Sequence, residues 1–195
     1  MLYHVSPISG ITTLEPRTST HGKSYVYAIE NLVTGLLFGA PHDDFDFCIS
    51  TDDNGTPCII ECYPNAMEVV FSGKRCSVYE LPDTDFKRGM TGWDAELVCE
   101  HDVDVIRETA VPDLYSRLLD EERRGALEIV RYTEDGEKFV TSHVLDRLVR
   151  FNVNIPSFIE HDPRFVRYTA AVRRAIEKLY DGMSSPNDPN IRLNA

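Results

Sequence analysis

The chain has 195 residues, of which 42% are hydrophobic and 10% aromatic, a composition that supports a folded core and excludes wholesale disorder. Its 32 acidic and 20 basic side chains give a formal net charge of -12, which repels nucleic-acid phosphates and disfavours a nucleic-acid substrate. No apolar run reaches the ~18 residues that a membrane-spanning helix needs, no secretory signal opens the sequence, and the five cysteines are scattered. We therefore expect a cytoplasmic protein with reduced thiols and no membrane partner.

The first half of the chain is predicted to form short strands. Aromatic and β-branched residues fill Leu2–Ser6 and Ser24–Ile29, and the second of these runs leads into an apolar helical spacing over Glu30–Ala40. The turn residues Asn54-Gly55 predict a hairpin. Further strands are predicted at 45–51, 57–63, 67–71, 76–81, 95–99 and 103–106.

The second half changes to helical spacing. Helices are predicted over Pro112–Arg124, after a cap at Thr141 or Ser142, and from Asp162-Pro163 onward. Residues 125–132 fit either a helix or a strand. Residues 1–125 hold 22 acidic and 10 basic side chains, whereas residues 126–195 hold 10 of each, and this break indicates two structural units. We predict an α+β fold with a β-rich domain over 1–125, a helical extension packed on it over 126–183, and a flexible tail over 184–195.

Two motifs resemble metal sites without fitting them. The run from Ser50 to Glu61 has the glycine and final glutamate of a calcium loop, but its flanks are predicted strands and the hairpin turn explains the same residues. Cys58 and Cys62 have no second ligand pair at zinc spacing. We predict no metal.

Three segments place polar or aromatic groups on otherwise apolar strands. They are Leu2-Tyr3-His4-Val5-Ser6-Pro7, Tyr25-Val26-Tyr27-Ala28-Ile29 and Asp94-Ala95-Glu96-Leu97-Val98. In this order, and with a helix after the second segment, they resemble the ADP-ribosyltransferase superfamily of the His-Tyr-Glu type, in particular its small bacterial and DarT-like members. The resemblance covers about residues 1–120 and implies an ADP-ribosyltransferase-like split β core, which binds NAD as a substrate in a cleft.

The resemblance also implies a role for each residue. His4 and Ser6 are expected to hydrogen-bond the adenosine-side ribose hydroxyls and the carboxamide region of NAD. Tyr27 is expected to stack on the nicotinamide, and Tyr25 is the alternative because residues two apart on a strand share a face. Glu96 is expected to accept a hydrogen bond from the 2′-hydroxyl of the nicotinamide ribose and to oppose the positive charge that develops as the glycosidic bond breaks.

Two cations lie close to these segments in the sequence. Arg17, Lys23 or both are expected to face the pyrophosphate of NAD. Together the expectations describe an NAD-dependent ADP-ribosyltransferase whose acceptor is a protein or small molecule rather than a nucleic acid. The alternatives are an NAD glycohydrolase that uses the same site with water as acceptor, and a catalytically inactive interaction module of the same fold. An RNA 2′-phosphotransferase is disfavoured by the acidic first half.

Overall fold

A computed structural model describes residues 1–18, 22–52 and 54–184, so Asp53 of the predicted turn and the tail from residue 185 lie outside the described part. The described chain is a mixed α+β fold with six α-helices, which confirms the predicted class. None of the described helices is long and apolar enough to cross a bilayer. The strands are β1 Leu2–Ser6, β2 Thr13–Leu14, β3 Arg17–Thr18, β4 Ser24–Ile29, β5 Phe47–Thr51, β6 Pro57–Glu61, β7 Cys76–Leu81, β8 Lys87–Arg88, β9 Glu96–Cys99, β10 Val103–Asp104, β11 Arg107–Val111 and β12 Glu128–Val130.

The helices depart from the predictions more often than the strands do. The predicted strand at 67–71 is wrong, because these residues belong to a helix. The predicted cap at Thr141 or Ser142 is also wrong, since the helix there starts at Glu137 and the Thr141 hydroxyl donates to the Glu137 carbonyl inside it. The single helix predicted from Asp162 is interrupted by a 3₁₀ turn over Phe165–Arg167. The helices are α1 Leu32–Leu37, α2 Ala66–Phe71, α3 Leu114–Arg123, α4 Glu137–Arg150, α5 Ile155–His161 and α6 Ala170–Ser184.

The chain folds as two units that are not consecutive in sequence. The first consists of Met1–Pro41, Thr51–Pro57 and Met67–Glu128. The second consists of His42–Ser50, Cys58–Ala66 and the chain from Ile129 onward. The helical extension predicted over 126–183 therefore accounts for only part of the second unit, because two segments of the first half also belong to it.

The first unit is built on a seven-stranded sheet in the order β11-β7-β1-β4-β9-β8, with β3 also paired to β4. All its registered pairs are antiparallel. Strand β1 pairs with β7 along its full length, and β4 pairs with β9 over four residues. Between β1 and β4, by contrast, the described register consists of the pair Tyr3–Ile29. We call the region where the two strands diverge, His4–Ser6 of β1 and Tyr25–Ala28 of β4, the β1–β4 fork.

Each face of this sheet is covered by a different layer. On one face, residues of the small β2–β10 sheet pack on the central strands. On the other face, α1 lies so close that a Cβ atom on Gly35 would be 3.0 Å from Ile29 and 3.2 Å from Val5. The helix begins at Asn31, whose side chain accepts the N–H groups of its first turn. The hydrophobic cluster between the seven-stranded sheet and the β2–β10 sheet consists of Leu2, Leu14, Val26, Ala28, Tyr79, Leu81, Leu97, Cys99 and Val103.

The second unit contains helices α4, α5 and α6 and most of a three-stranded sheet in the order β12-β6-β5. Pairing of β5 with β6 confirms the predicted hairpin.

The second unit also contains a network of charged side chains around Arg164. The Arg164 guanidinium bonds the carboxylates of Asp162, Asp46 and Asp43. Burial lowers the pKa of Arg164, but the bonds with these carboxylates outweigh burial and raise it above the ordinary value. Tyr63 donates to Asp46 at 2.8 Å, so the buried charges are paired and hydrogen-bonded.

Candidate functional site

The residues of the three motif segments lie on three neighbouring strands of the seven-stranded sheet. His4 and Ser6 are on β1, Tyr25 and Tyr27 are on β4, and Glu96 is the first residue of β9. Because β4 stands between β1 and β9 in the sheet, segments separated by about 90 positions in the sequence lie side by side in the first unit.

His4 holds the β1–β4 fork through its side chain. Its Nδ1 atom lies 2.9 Å from the backbone carbonyl oxygen of Tyr27, and since a carbonyl only accepts, Nδ1 must carry the proton. Burial lowers the pKa of His4, the bond to Tyr27 opposes that effect, and the positive charge of Arg17 lowers the pKa further. The ring is therefore neutral at pH 7, which leaves Nε2 as a hydrogen-bond acceptor.

Ser6 lies at the end of β1 and is buried. Its Oγ atom accepts the backbone N–H of Ile8 at 3.1 Å, which turns the chain immediately after the strand. Serine carries one hydroxyl proton and two acceptor lone pairs, so this bond uses one lone pair. The side chain that the resemblance assigns to NAD thus also shapes the loop after β1.

The two tyrosines of β4 differ in exposure. Tyr25 is 3% exposed, whereas Tyr27 is half-buried, and their rings meet edge to face with centroids 6.0 Å apart. An edge-to-face pair of this kind is a favourable aromatic packing arrangement. Tyr25 therefore supports Tyr27, and Tyr27 is the more accessible of the two rings for stacking.

Glu96 is half-buried and shares a sheet face with Tyr27. Its Cα lies opposite that of Ile29, and directly opposite residues of an antiparallel pair point to the same side. Tyr27 is two residues before Ile29, so the side chains of Tyr27 and Glu96 are diagonal neighbours. Alternation along β1 places His4 and Ser6 on the other face. The structure therefore groups Tyr27 with Glu96, and it connects His4 to β4 through the fork.

The two predicted pyrophosphate cations are both exposed. Arg17 lies on β3 opposite Tyr25, and its charge acts on His4. Lys23 immediately precedes β4. Both stand next to the strand that carries Tyr27, and only Arg17 has a described electrostatic effect on a motif residue.

A polar cluster beside His4 was not predicted from the sequence. The carboxylate of Glu108 accepts the Gly10 N–H, at 3.1 Å to each oxygen, and the Ser77 hydroxyl at 2.6 Å. The bond to Ser77, followed by that to Gly10, lowers the pKa of Glu108. Tyr79 donates to the Ile8 carbonyl at 2.7 Å. The cluster fastens the loop after β1, and polar residues at alternate positions of β7 were its signal in the sequence.

A second unpredicted residue, Arg88, is connected to the segment before Glu96. Its guanidinium donates to the Asp94 carbonyl at 2.6 Å and forms an ion pair with Glu30 at 2.8 Å. Glu30 follows β4 directly, and Asp94 lies two residues before the first residue of β9. Arg88 therefore connects the chain beside Tyr27 to the chain beside Glu96.

No group of three or more potential metal ligands occurs in the part of the chain that the structure describes. The candidate residues are thus a neutral imidazole on one face of the sheet, and a half-buried aromatic ring and a carboxylate on the other face. A comparison of the chain with protein-family models, curated proteins and solved structures gives no match in any of the three.

Proposed function

We propose that this chain is an NAD-dependent ADP-ribosyltransferase that binds NAD at the β1–β4 fork. The observation that carries the proposal is the 2.9 Å bond from His4 Nδ1 to the Tyr27 carbonyl. It fixes a neutral histidine, with its acceptor nitrogen free of a proton, where two strands of the sheet diverge.

The residues at the fork suit a dinucleotide. The Nε2 atom of His4 accepts a hydrogen bond from a ribose hydroxyl, and the ring of Tyr27 offers a face to a flat heteroaromatic group. Arg17 supplies a positive charge near His4 for the pyrophosphate. NAD carries these three chemical elements in one molecule.

Glu96 supports the bond-breaking step. The bond between nicotinamide and C1 of its ribose breaks, nicotinamide leaves with the electron pair, and the ribose carbon becomes positively charged. The Glu96 carboxylate accepts a hydrogen bond from the neighbouring 2′-hydroxyl and stabilises that charge. Preorganised electrostatic help of this kind is worth about 3–4 kcal/mol per group.

The transfer is completed by a nucleophile of the acceptor, a protein or a small molecule. Its oxygen or nitrogen forms the new bond to C1 of the ribose and loses its proton to solvent. When water takes this place the same site is an NAD glycohydrolase. The acidic balance of the chain supports an acceptor other than a nucleic acid.

The test is a titration of the purified protein with NAD, together with an assay for released nicotinamide. We expect saturable binding that is lost in His4→Ala and kept in Glu96→Gln, because the first residue binds and the second acts on the reacting bond. Nicotinamide release should fall about 10²–10³-fold in Glu96→Gln. The matched controls are His101→Ala and Glu100→Gln, which change exposed residues of the same types close to β9.

Each result has a definite meaning. If millimolar NAD does not bind, the transferase proposal fails, and a non-catalytic interaction module becomes the better description. If Glu96→Gln releases nicotinamide at the wild-type rate, the assignment of Glu96 is wrong. Transfer is distinguished from hydrolysis by whether ADP-ribose appears on an acceptor or free in solution.

A further inference from the structure

We propose that Arg88 is a positioning residue for Glu96, an inference that rests on the proposed function. Arg88 lies on β8, at the edge of the seven-stranded sheet, with its Cα opposite that of Leu97. Its own side chain is assigned no contact with NAD. Its role is to hold the segment that leads into β9.

The contacts of Arg88 connect the segment that precedes Glu96 to the end of the neighbouring strand β4. One guanidinium nitrogen donates to the backbone carbonyl of Asp94 at 2.6 Å, two residues before Glu96. Another lies 2.8 Å from the carboxylate of Glu30, the residue directly after β4. A guanidinium presents several donors in a fixed plane, so one side chain satisfies both partners at once.

The segment held by Arg88 needs such support. It includes two glycines with positive φ, Gly89 at 74° and Gly92 at 82°, and the exposed Met90. Glycine in this region has more accessible conformations than other residues, so ordering it depends on contacts from outside.

The end of the segment is anchored as well. The Trp93 ring lies beside Phe38, with centroids 5.7 Å apart, and the Trp93 carbonyl accepts the Glu96 N–H at 3.1 Å. Asp94 lies between Trp93 and Glu96, so the bond from Arg88 to the Asp94 carbonyl helps to fix the position of the Glu96 backbone.

A misplacement of a catalytic group by about 1 Å can lower a rate by 10²-fold. We expect kcat for nicotinamide release to fall about 10- to 100-fold in Arg88→Ala, while KM for NAD stays within about twofold, because the lost contact acts on Glu96 and not on the binding residues. Arg88→Lys should recover part of kcat, since an ammonium reaches one of the two partners but does not reproduce the planar fork.

The matched control is Arg107→Ala. Arg107 lies on β11 at the opposite edge of the same sheet, and it too is exposed and bonded to a glutamate, Glu80. Its removal takes away the same charge and a similar ion pair at a distance from β9. We expect wild-type kcat and KM in this variant.

A second readout measures the positioning directly. Trp93 is the single tryptophan of the sequence, so quenching of its fluorescence by acrylamide reports how accessible this segment is. Quenching should increase in Arg88→Ala and stay at the wild-type level in Arg107→Ala. It does not depend on turnover, and circular dichroism of each variant checks that the fold is retained.

The outcomes separate the two proposals. An active wild type in which Arg88→Ala keeps its kcat, or raises KM alone, overturns the role of Arg88 and leaves the proposed function standing. Unchanged Trp93 quenching in Arg88→Ala overturns that role as well. A wild type that neither binds NAD nor releases nicotinamide overturns the proposed function and this inference together.

Discussion

A substitution at Gly39 tests how tightly the chain after α1 packs against β7 and α3 in the first unit. Gly39 lies just after α1, where a Cβ atom would be 2.8 Å from Cys76 Sγ and 2.9 Å from Leu114 Cδ2. Both neighbours are buried, at 5% and 0% exposure, so neither side chain can swing into solvent. Ordinary carbon contacts are about 3.5–4.0 Å, and Gly39→Ala therefore forces an overlap of roughly 0.7–1 Å on two sides.

Overpacking of this kind costs about 1–3 kcal/mol. Alanine also restricts the unfolded chain, which offsets about 0.4–1 kcal/mol of that loss because Gly39 is not in the left-handed region. We expect the free energy of unfolding to fall by about 1–2 kcal/mol. For a chain of this size, that change lowers Tm by about 3–6 °C.

The assay is urea unfolding followed by circular dichroism, with Gly136→Ala as the control. At Gly136 the nearest atoms to a Cβ are at 3.5 and 3.6 Å, an ordinary contact, and φ is -80°. The control should unfold within about 0.5 kcal/mol of the wild type or become slightly more stable. If Gly39→Ala is as stable as the control, the chain just after α1 does not pack against Cys76 of β7 and Leu114 of α3 as described.

Three further predictions concern other residues. Because burial lowers the pKa of His4 below 6.5, NAD affinity should persist at pH 6.5 and decrease as the pH falls further and Nε2 takes up a proton; His4→Asn, which does not titrate, should abolish this pH dependence. Arg164→Met leaves three carboxylates without their cation and should lower the free energy of unfolding by about 3 kcal/mol in urea; an unchanged midpoint would contradict the network described for the second unit. Asn31→Ala removes the cap of α1 and should cost about 1 kcal/mol in the same assay, whereas Asn31→Asp, which keeps the acceptor, should cost less.

Local sequence was sufficient to predict those strands whose residue composition is typical of a strand and not of a helix. Leu2–Ser6 and Ser24–Ile29 are aromatic and β-branched, and the structure has them as β1 and β4 with those bounds. The run at 67–71 was predicted wrongly as a strand, because its four apolar residues fit period 2 and period 3.6 alike. Its burial is helical: Met67 and Phe71 are 2% and 0% exposed, while Glu68 between them is exposed.

Tertiary contacts explain why the helix predicted from Asp162 onward is interrupted by a 3₁₀ turn. The apolar positions Phe165, Tyr168, Val172 and Ile176 are all buried, as the spacing indicated. The first two, however, lie in and just after the 3₁₀ turn, and Tyr168 donates to the Phe45 carbonyl at 2.7 Å. A partner 123 residues away cannot be recognised from the spacing of neighbouring residues.

The candidate site, too, was predicted from the sequence only in part. The order of the three motifs was visible in the sequence, and the strand order β1-β4-β9 that brings them side by side was supplied by the fold. Which residues of different strands share a face was not visible, because it depends on the registers Tyr3–Ile29 and Ile29–Glu96. Glu108 was also missed, since its partner Gly10 is 98 positions away and β11 was not predicted.

The interleaving of the two units has a consequence for the protein's synthesis on the ribosome. The last segment of the first unit ends at Glu128, whereas His42–Ser50 and Cys58–Ala66 belong to a unit that requires residues from Ile129 onward. At translation rates of about 5–20 residues per second, the described residues 129–184 take about 3–11 s to be made. During that interval the early segments, including the buried Glu61 and Tyr63, are without the rest of their unit. A nascent chain stalled near residue 128 should therefore be a good substrate for a chaperone or a protease.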